Sequence, residues 1–198
     1  MKQLLLASGN AGKLKELTLA LADFDYSLQP QPKDSAYHVA ETGTTFVENA
    51  IIKARHAAGL SGLPTLADDS GLIVPSLNGE PGVYSARYAG DDANDKDNNA
   101  KLLKALHNSQ QRQAYFYCCL VLMQQADDPA PVIAEGRWYG EICLQPSGDG
   151  GFGYDPLFYL PDLKCTAAQL PADEKSRLSH RGQAVQNLKQ LLAHNKQS

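Results

Sequence analysis

The stretch Thr65-Leu66-Ala67-Asp68-Asp69-Ser70-Gly71-Leu72 constrains this chain more than any other. Its apolar start reads as a strand entering a core. The run then meets two adjacent carboxylates, a hydroxyl and a glycine. Strand alternation sends neighbouring side chains to opposite faces. At least one of the two acids therefore points away from open solvent and needs a cation or hydrogen bonds to compensate. The competing account is a polar turn, since Asp-Asp-Ser-Gly is good turn chemistry. Either way the strand is expected to end at the acids, with Leu72-Ile73-Val74 as the return strand.

A chain of 198 residues is long enough to bury a core as one domain or two closely packed lobes, and it is treated as a single domain over 1–198. Its hydrophobic fraction of 43% and charged fraction of 20% belong to a globular protein. The formal net charge of −4 gives no general attraction to nucleic acid or to an anionic membrane. A polyanionic substrate would then be held by a few placed cations and a metal. Cys118 and Cys119 are adjacent inside an apolar run, unlike a metal knuckle, and are read as small buried hydrophobes. The apolar run at Leu4-Leu5-Leu6-Ala7 is too short for a signal peptide, and no stretch reaches the length of a membrane span. Free thiols without an export signal lead to the expectation of a cytoplasmic protein.

Leu4 to Ala7 has the continuous apolar character of a strand buried on both faces. Ser8-Gly9-Asn10-Ala11-Gly12-Lys13 interrupts it before a helical pattern over Leu14 to Leu21. Strand, small-residue loop and helix together aim backbone N–H groups at one spot, a ready phosphate site. The spacing is not that of a Walker loop. Residues 23–40 read as a loop or short edge strand. Thr45-Phe46-Val47-Glu48 is a capping box opening a helix to about Gly59, with Phe46, Ala50, Ile51, Ala54 and Ala57 or Ala58 as its apolar stripe. Asn49, Lys53 and His56 share another face, which is either solvated or functional. Glu41 stands just ahead, in a loop able to turn its carboxylate towards Asp68 and Asp69.

Asp91 to Asn99 is polar and leads into a helix ending near Leu106. His107 to Gln113 reads as a solvated turn. Ala114 to Met123 and Val132 to Tyr139 read as long antiparallel strands of a second lobe, joined around Asp128-Pro129. The loop Gly148-Asp149-Gly150-Gly151-Phe152-Gly153-Tyr154-Asp155-Pro156 lets backbone approach a ligand closely. Phe152 offers a ring to stack on a base and Asp155 an acceptor. Residues 161–174 read as a polar connection. Ser179 suits the N-cap of a last helix, about 182–193, placing His180 and Arg181 at its start. With Lys175 nearby they are candidates for binding a carbonyl-bearing base.

Glu41, Asp68 and Asp69 are hard oxygen donors without His or Cys partners, which suits Mg2+ bridging substrate phosphates. Lys13 and Lys53 would neutralise phosphate charge, and a carboxylate beside the metal can deprotonate a water. No Ser-His-Asp or Cys-His set is present in usable context, so covalent catalysis is not indicated. The residue types support metal-assisted hydrolysis of a phosphoanhydride.

These segments, in this order, resemble the Ham1/RdgB family of inosine and xanthosine triphosphate pyrophosphatases. The matching stretches are Ser8 to Lys13, Glu41 to Ala50, Ala67 to Leu72, Pro81 to Tyr88, Gly151 to Pro156 and Ser179 to Gly182. The resemblance implies an α/β fold, two lobes on a long mixed β-sheet flanked by helices (Maf/Ham1-like), with the active site in the inter-lobe cleft, and a homodimer. It implies Mg2+-dependent cleavage of ITP, dITP and XTP to monophosphate and pyrophosphate, clearing them from the nucleotide pool. By position, Ser8, Gly9, Asn10, Ala11, Gly12, Lys13 and Lys53 would handle phosphates. Asp69 would be the base activating water, and Glu41, Asp68 and Asp69 would hold magnesium. Ser70 would touch the substrate, and Phe152, Gly153, Tyr154, Asp155, Lys175, His180 and Arg181 would surround the base. Alternatives are a Maf-type pyrophosphatase of other specificity or a non-catalytic nucleotide-binding module. The partner is a small nucleotide, with neither nucleic acid nor membrane.

Overall fold

The structure is a computed structural model that describes residues 2–22 and 26–195; positions 23–25 of the expected loop lie outside the described residues. Seven strands form one mixed sheet in the order β2-β1-β3-β4-β5-β6-β7. They are β1 (Lys2–Ala7), β2 (Tyr26–Pro30), β3 (Thr65–Ile73), β4 (Gln113–Met123), β5 (Val132–Ile142), β6 (Phe158–Leu160) and β7 (Cys165–Thr166). β1 runs parallel to β2 and β3, whereas β6 is antiparallel to β5 and β7. Among the described residues five α-helices accompany them: α1 (Ala11–Ala20), α2 (Phe46–Ser61), α3 (Asp95–Ala105), α4 (Ala172–Leu178) and α5 (His180–Asn195). The α/β class expected from the sequence is the one found.

The chain forms two compact units with interleaved segments. The first comprises Met1–Asp69, Cys118–Gly136 and His180–Ser198. Its core joins Leu4, Leu6 and Leu66 to Leu17 of α1 and Leu21 just after it, to Cys118, Leu120 and Leu122, and to Ala184, Val185 and Leu188 of α5. Leu5, Ala7 and Ala67 alternate with these and are buried too, as strands covered on both faces require. α2 packs on β1 and buries Phe46, Ala50, Ala54, Ala57 and Ala58, the stripe read from the sequence apart from Ile51, which is half-buried. The start of α5 lies so close to β5 that a β-carbon on Gly136 would overlap the His180 carbonyl.

The second unit comprises Ser70–Tyr117 and Arg137–Ser179. Phe158 anchors its core, with ring centroids 4.6 Å from Phe116 and 5.5 Å from Trp138, and Leu72, Leu102, Leu106 and Leu157 close around them.

Four expectations change. β3 does not stop at the acids: it continues through Asp68, Asp69, Ser70 and Gly71 to Ile73, so there is neither a turn nor a return strand. Gly71 makes this possible, because a β-carbon there would overlap the Gly82 carbonyl and the Ser85 hydroxyl. β4 and β5 do not build a second lobe alone, since Cys118–Gly136 belongs to the first unit. Residues 107–113 are not merely solvated: Arg112 donates to the carbonyls of Ile142, Leu106 and Cys143 at 2.6, 2.8 and 2.8 Å. Residues 161–174 contain β7, a 3-10 turn at Ala167–Gln169 and the start of α4.

Candidate active site

Asp68 and Asp69 leave β3 towards different helices. Asp68 is 1% exposed. Lys13 of α1 donates to its Oδ1 at 2.7 Å, and Arg181 Nε of α5 donates to its Oδ2 at 2.9 Å. Cys118 Sγ donates to the same Oδ2 at 3.3 Å. Burial alone would raise the pKa of Asp68, but Lys13 and Arg181 overcome that and hold it well below its ordinary value. Arg181 is also paired with Glu16 at 2.5 Å. Burial opposes its charge, and Asp68 and Glu16 more than restore it. The two adjacent thiols are buried as expected; burial first, then Asp68, raises the pKa of Cys118, and burial pushes Cys119 up to about 12.

Asp69 lies in the other environment. Its Oδ1 accepts from Lys53 Nζ of α2 at 2.7 Å, and Lys53 also pairs with Glu41 at 3.1 Å. Its Oδ2 is buried with no hydrogen-bond partner among the described residues. Burial raises the pKa of Asp69, and Lys53 and Lys13 only partly offset it. Lys53 remains charged, since Asp69 and Glu41 outweigh its burial. A cavity of about 180 Å³ opens beside these groups, lined by Ser8, Gly9, Gln31, Tyr37, His38, Glu41 and Lys53 among others.

The loop Ser8 to Lys13 takes its shape from a cap: Asn10 Oδ1 accepts from Lys13 N at 3.0 Å, and Asn10 N donates to Ser8 Oγ at 3.2 Å. Ala11 and Gly12 then form the first turn of α1, where N–H groups lack intrahelical acceptors. The capping box of α2 is present: Glu48 accepts from the backbone N–H groups of Thr44 and Thr45 at 2.9 Å. The Asn49, Lys53 and His56 face is not a solvated one. Asn49 Oδ1 accepts from Gly43 N at 2.8 Å, and His56 Nε2 donates to the Ala36 carbonyl at 2.6 Å. These ties bracket Glu41 in the chain and fasten its loop to the helix that carries Lys53. Sequence reasoning grouped the three residues by helical spacing but had no signal for their partners.

Among the described residues, no three His, Cys, Asp or Glu groups are gathered so as to hold a metal ion. Glu41 and Asp69 nevertheless fit a hard cation. Both already share one positive charge, and Asp69 Oδ2 is a buried acceptor without a partner. Mg2+ needs only one or two protein carboxylates, the remaining positions going to water and phosphate. Asp68 differs, because both its oxygens are engaged by cations.

In the second unit, Lys175 of α4 pairs with Asp155 Oδ2 at 2.5 Å, and the same oxygen accepts from Phe152 N at 2.8 Å. Lys175 Nζ lies 5.1 Å from the centre of the Phe152 ring. Gly151 has a φ of +72°, and a β-carbon there would overlap the Asp155 carboxylate, so glycine is required on two counts. Tyr154 turns inward from this loop. Its side chain is in the core, 4% exposed, and its hydroxyl donates to the Ser85 carbonyl at 2.8 Å. Ser70, half-buried on β3, also belongs to this unit. His180 and Arg181 belong to the first unit, both buried at the start of α5. Ser179 occupies the extended position before α5, which begins at His180 and not at 182.

The Ham1 family model matches residues 4–191. A protein of Idiomarina loihiensis described as a dITP/XTP pyrophosphatase is 57% identical over 196 residues, covering 96% of this chain and 97% of its own. One of the same description from Vibrio cholerae is 54% identical over 190 residues, 95% of each chain. The solved structure of a HAM1 protein from Coxiella burnetii superposes with a TM-score of 0.90 at 49% identity, covering 98% of this chain and 100% of that one.

Proposed function

The chain belongs to the Ham1 family, and from that premise we propose that it hydrolyses non-canonical purine nucleoside triphosphates to the monophosphate and pyrophosphate. The observation carrying this reading is the contrast between two neighbouring carboxylates. Asp68 is saturated by Lys13 and Arg181 and held ionised, while Asp69 keeps one buried oxygen without a partner and a raised pKa. That contrast suits a division of labour in which Asp68 fixes the cations and Asp69 handles a proton.

Water attacks phosphorus, the α–β phosphoanhydride bond breaks, and pyrophosphate leaves with the bond's electron pair. Asp69 accepts the proton of the attacking water at Oδ2, and burial makes it a stronger acceptor than an exposed carboxylate. Lys53 and Lys13 neutralise the phosphates together with the N–H groups of the Ser8 to Lys13 loop. Glu41 would hold Mg2+, and the ion would supply charge neutralisation on the phosphate oxygens. The Phe152 ring stacks on the base, and Lys175, placed beside Asp155 and the ring, donates to a 6-oxo group. An adenine amine in that place leaves a buried donor unmatched, which is the kind of loss that discriminates strongly. Homodimer assembly, a cytoplasmic location and service to the nucleotide pool are parts of the same proposal.

Product analysis with ITP, XTP, ATP and GTP, each with and without Mg2+, tests it. Monophosphate and pyrophosphate from ITP and XTP, only with the metal, are expected. Release of orthophosphate, or equal turnover of ATP, overturns it.

A further inference from the structure

Gly153 is fastened through both of its backbone polar groups by side chains of one helix. Its N–H donates to Asp95 Oδ2 at 2.7 Å, and its carbonyl accepts from Asn99 Nδ2 at 2.9 Å. Asp95 and Asn99 lie one turn apart on α3, hence on one face. The N-cap does not account for them, because Asn94 and Asp97 make the capping box of this helix. Gly153 itself has a φ of +62°, and a β-carbon there would meet nothing within 4 Å, so no packing against that position holds it.

The consequence falls on Phe152. A peptide unit is planar, so fixing one N–H or carbonyl fixes the whole plane. The plane before Phe152 is held by its own N–H on Asp155 Oδ2. Asp95 holds the plane after Phe152, and Asn99 holds the next one. Each of three successive peptide planes therefore carries a side-chain hydrogen bond, and the middle one is tied in addition by the Asp155 N–H, which donates to the Phe152 carbonyl at 3.3 Å. The angle between the first two planes is the backbone conformation of Phe152, which sets the direction of its Cα–Cβ bond and restricts the rotamers open to its ring.

We propose that Asp95 and Asn99 are positioning residues for purine binding: by clamping Gly153 they hold the Phe152 ring in the orientation that stacks on the base. The inference rests on the assignment of Phe152 to the base.

Kinetics with ITP and equilibrium binding of IMP in the absence of turnover test it. Asp95→Ala removes one acceptor, and Asn99→Asp removes the donor while keeping the shape. Each should raise KM for ITP and weaken IMP binding by about tenfold, the loss of one well-placed hydrogen bond, with kcat and thermal midpoint retained. Asp95→Asn keeps an acceptor for the Gly153 N–H and should restore wild-type values. Unchanged KM and IMP affinity in Asp95→Ala and Asn99→Asp overturn the clamp. So does a fall in kcat alone, or an Asp95→Asn variant as impaired as Asp95→Ala. Phe152→Ala separates the two layers. If it leaves ITP and IMP binding intact, the base assignment itself fails; if it weakens both while the clamp variants bind normally, only the clamp fails.

Discussion

Replacing Asp69 by Asn is expected to abolish turnover and to leave the protein at least as heat-stable as before. Burial lifts the pKa of this carboxyl above its ordinary 3.8 in the fold. Its contribution to stability is thus complete below the unfolded value and lost as pH rises through the folded one. At neutral pH the ionised group weakens the fold, and the amide removes that burden. Thermal melts beside ITP turnover check the pair of outcomes; a variant that turns over normally removes Asp69 from the mechanism. Asp68 has the opposite sign. Lys13 and Arg181 depress its pKa, so its stabilisation is present above the unfolded value and lost as pH falls through the folded one. Asp68→Asn leaves two cations around a buried neutral amide, a class of change that costs about 3–5 kcal/mol. Urea melts at neutral pH should show it, and the difference from wild type should shrink in acid.

At the scale of elements, α2 carries the most information. Its start was legible in the sequence because a capping box is a local device, confined to Thr45 and Glu48. Its polar face was legible only as a face. That His56 reaches the Ala36 carbonyl and Asn49 the Gly43 N–H depends on how an irregular loop returns over the helix, which no spacing rule encodes. His56→Ala is expected to release the loop carrying Glu41. Hydrogen exchange at residues 36–43 should accelerate and the Mg2+ requirement for turnover should rise, while His56→Gln, which keeps a donor, should behave more nearly as wild type. Unaltered exchange in His56→Ala would show that the loop is held by other means. β3 teaches the converse. Asp-Asp-Ser-Gly has the composition of a turn, yet β3 stays extended because ion pairs with Lys13, Arg181 and Lys53 compensate the buried charge. Tertiary partners overrode local preference.

For the whole molecule, both cores are assembled from apolar side chains, and the buried carboxylates Asp68 and Asp69 pair with Lys13, Arg181 and Lys53. Chelation of divalent metal is therefore expected to stop turnover without lowering the thermal midpoint. A large drop in the midpoint on adding chelator would assign the metal a structural role. No described helix is long and apolar enough to cross a membrane. The formal charge of −4 sits on a chain in which Lys13 and Lys53 of the candidate site pair with carboxylates.

By itself the sequence determined the class of the fold, the strand–loop–helix opening, the cap of α2 and the burial of Cys118 and Cys119. Those follow from periodicity, capping and residue chemistry, all of which act over a few positions. Only the tertiary structure decided which charge meets which. Asp68 meets Lys13 across 55 positions and Arg181 across 113, and Gly153 meets Asp95 across 58. The energy of a buried charge depends on its neighbours in space and on its removal from water. Two identical side chains one residue apart can therefore acquire opposite shifts, and a polar helix start such as Asp95 to Asn99 can become the clamp on a loop.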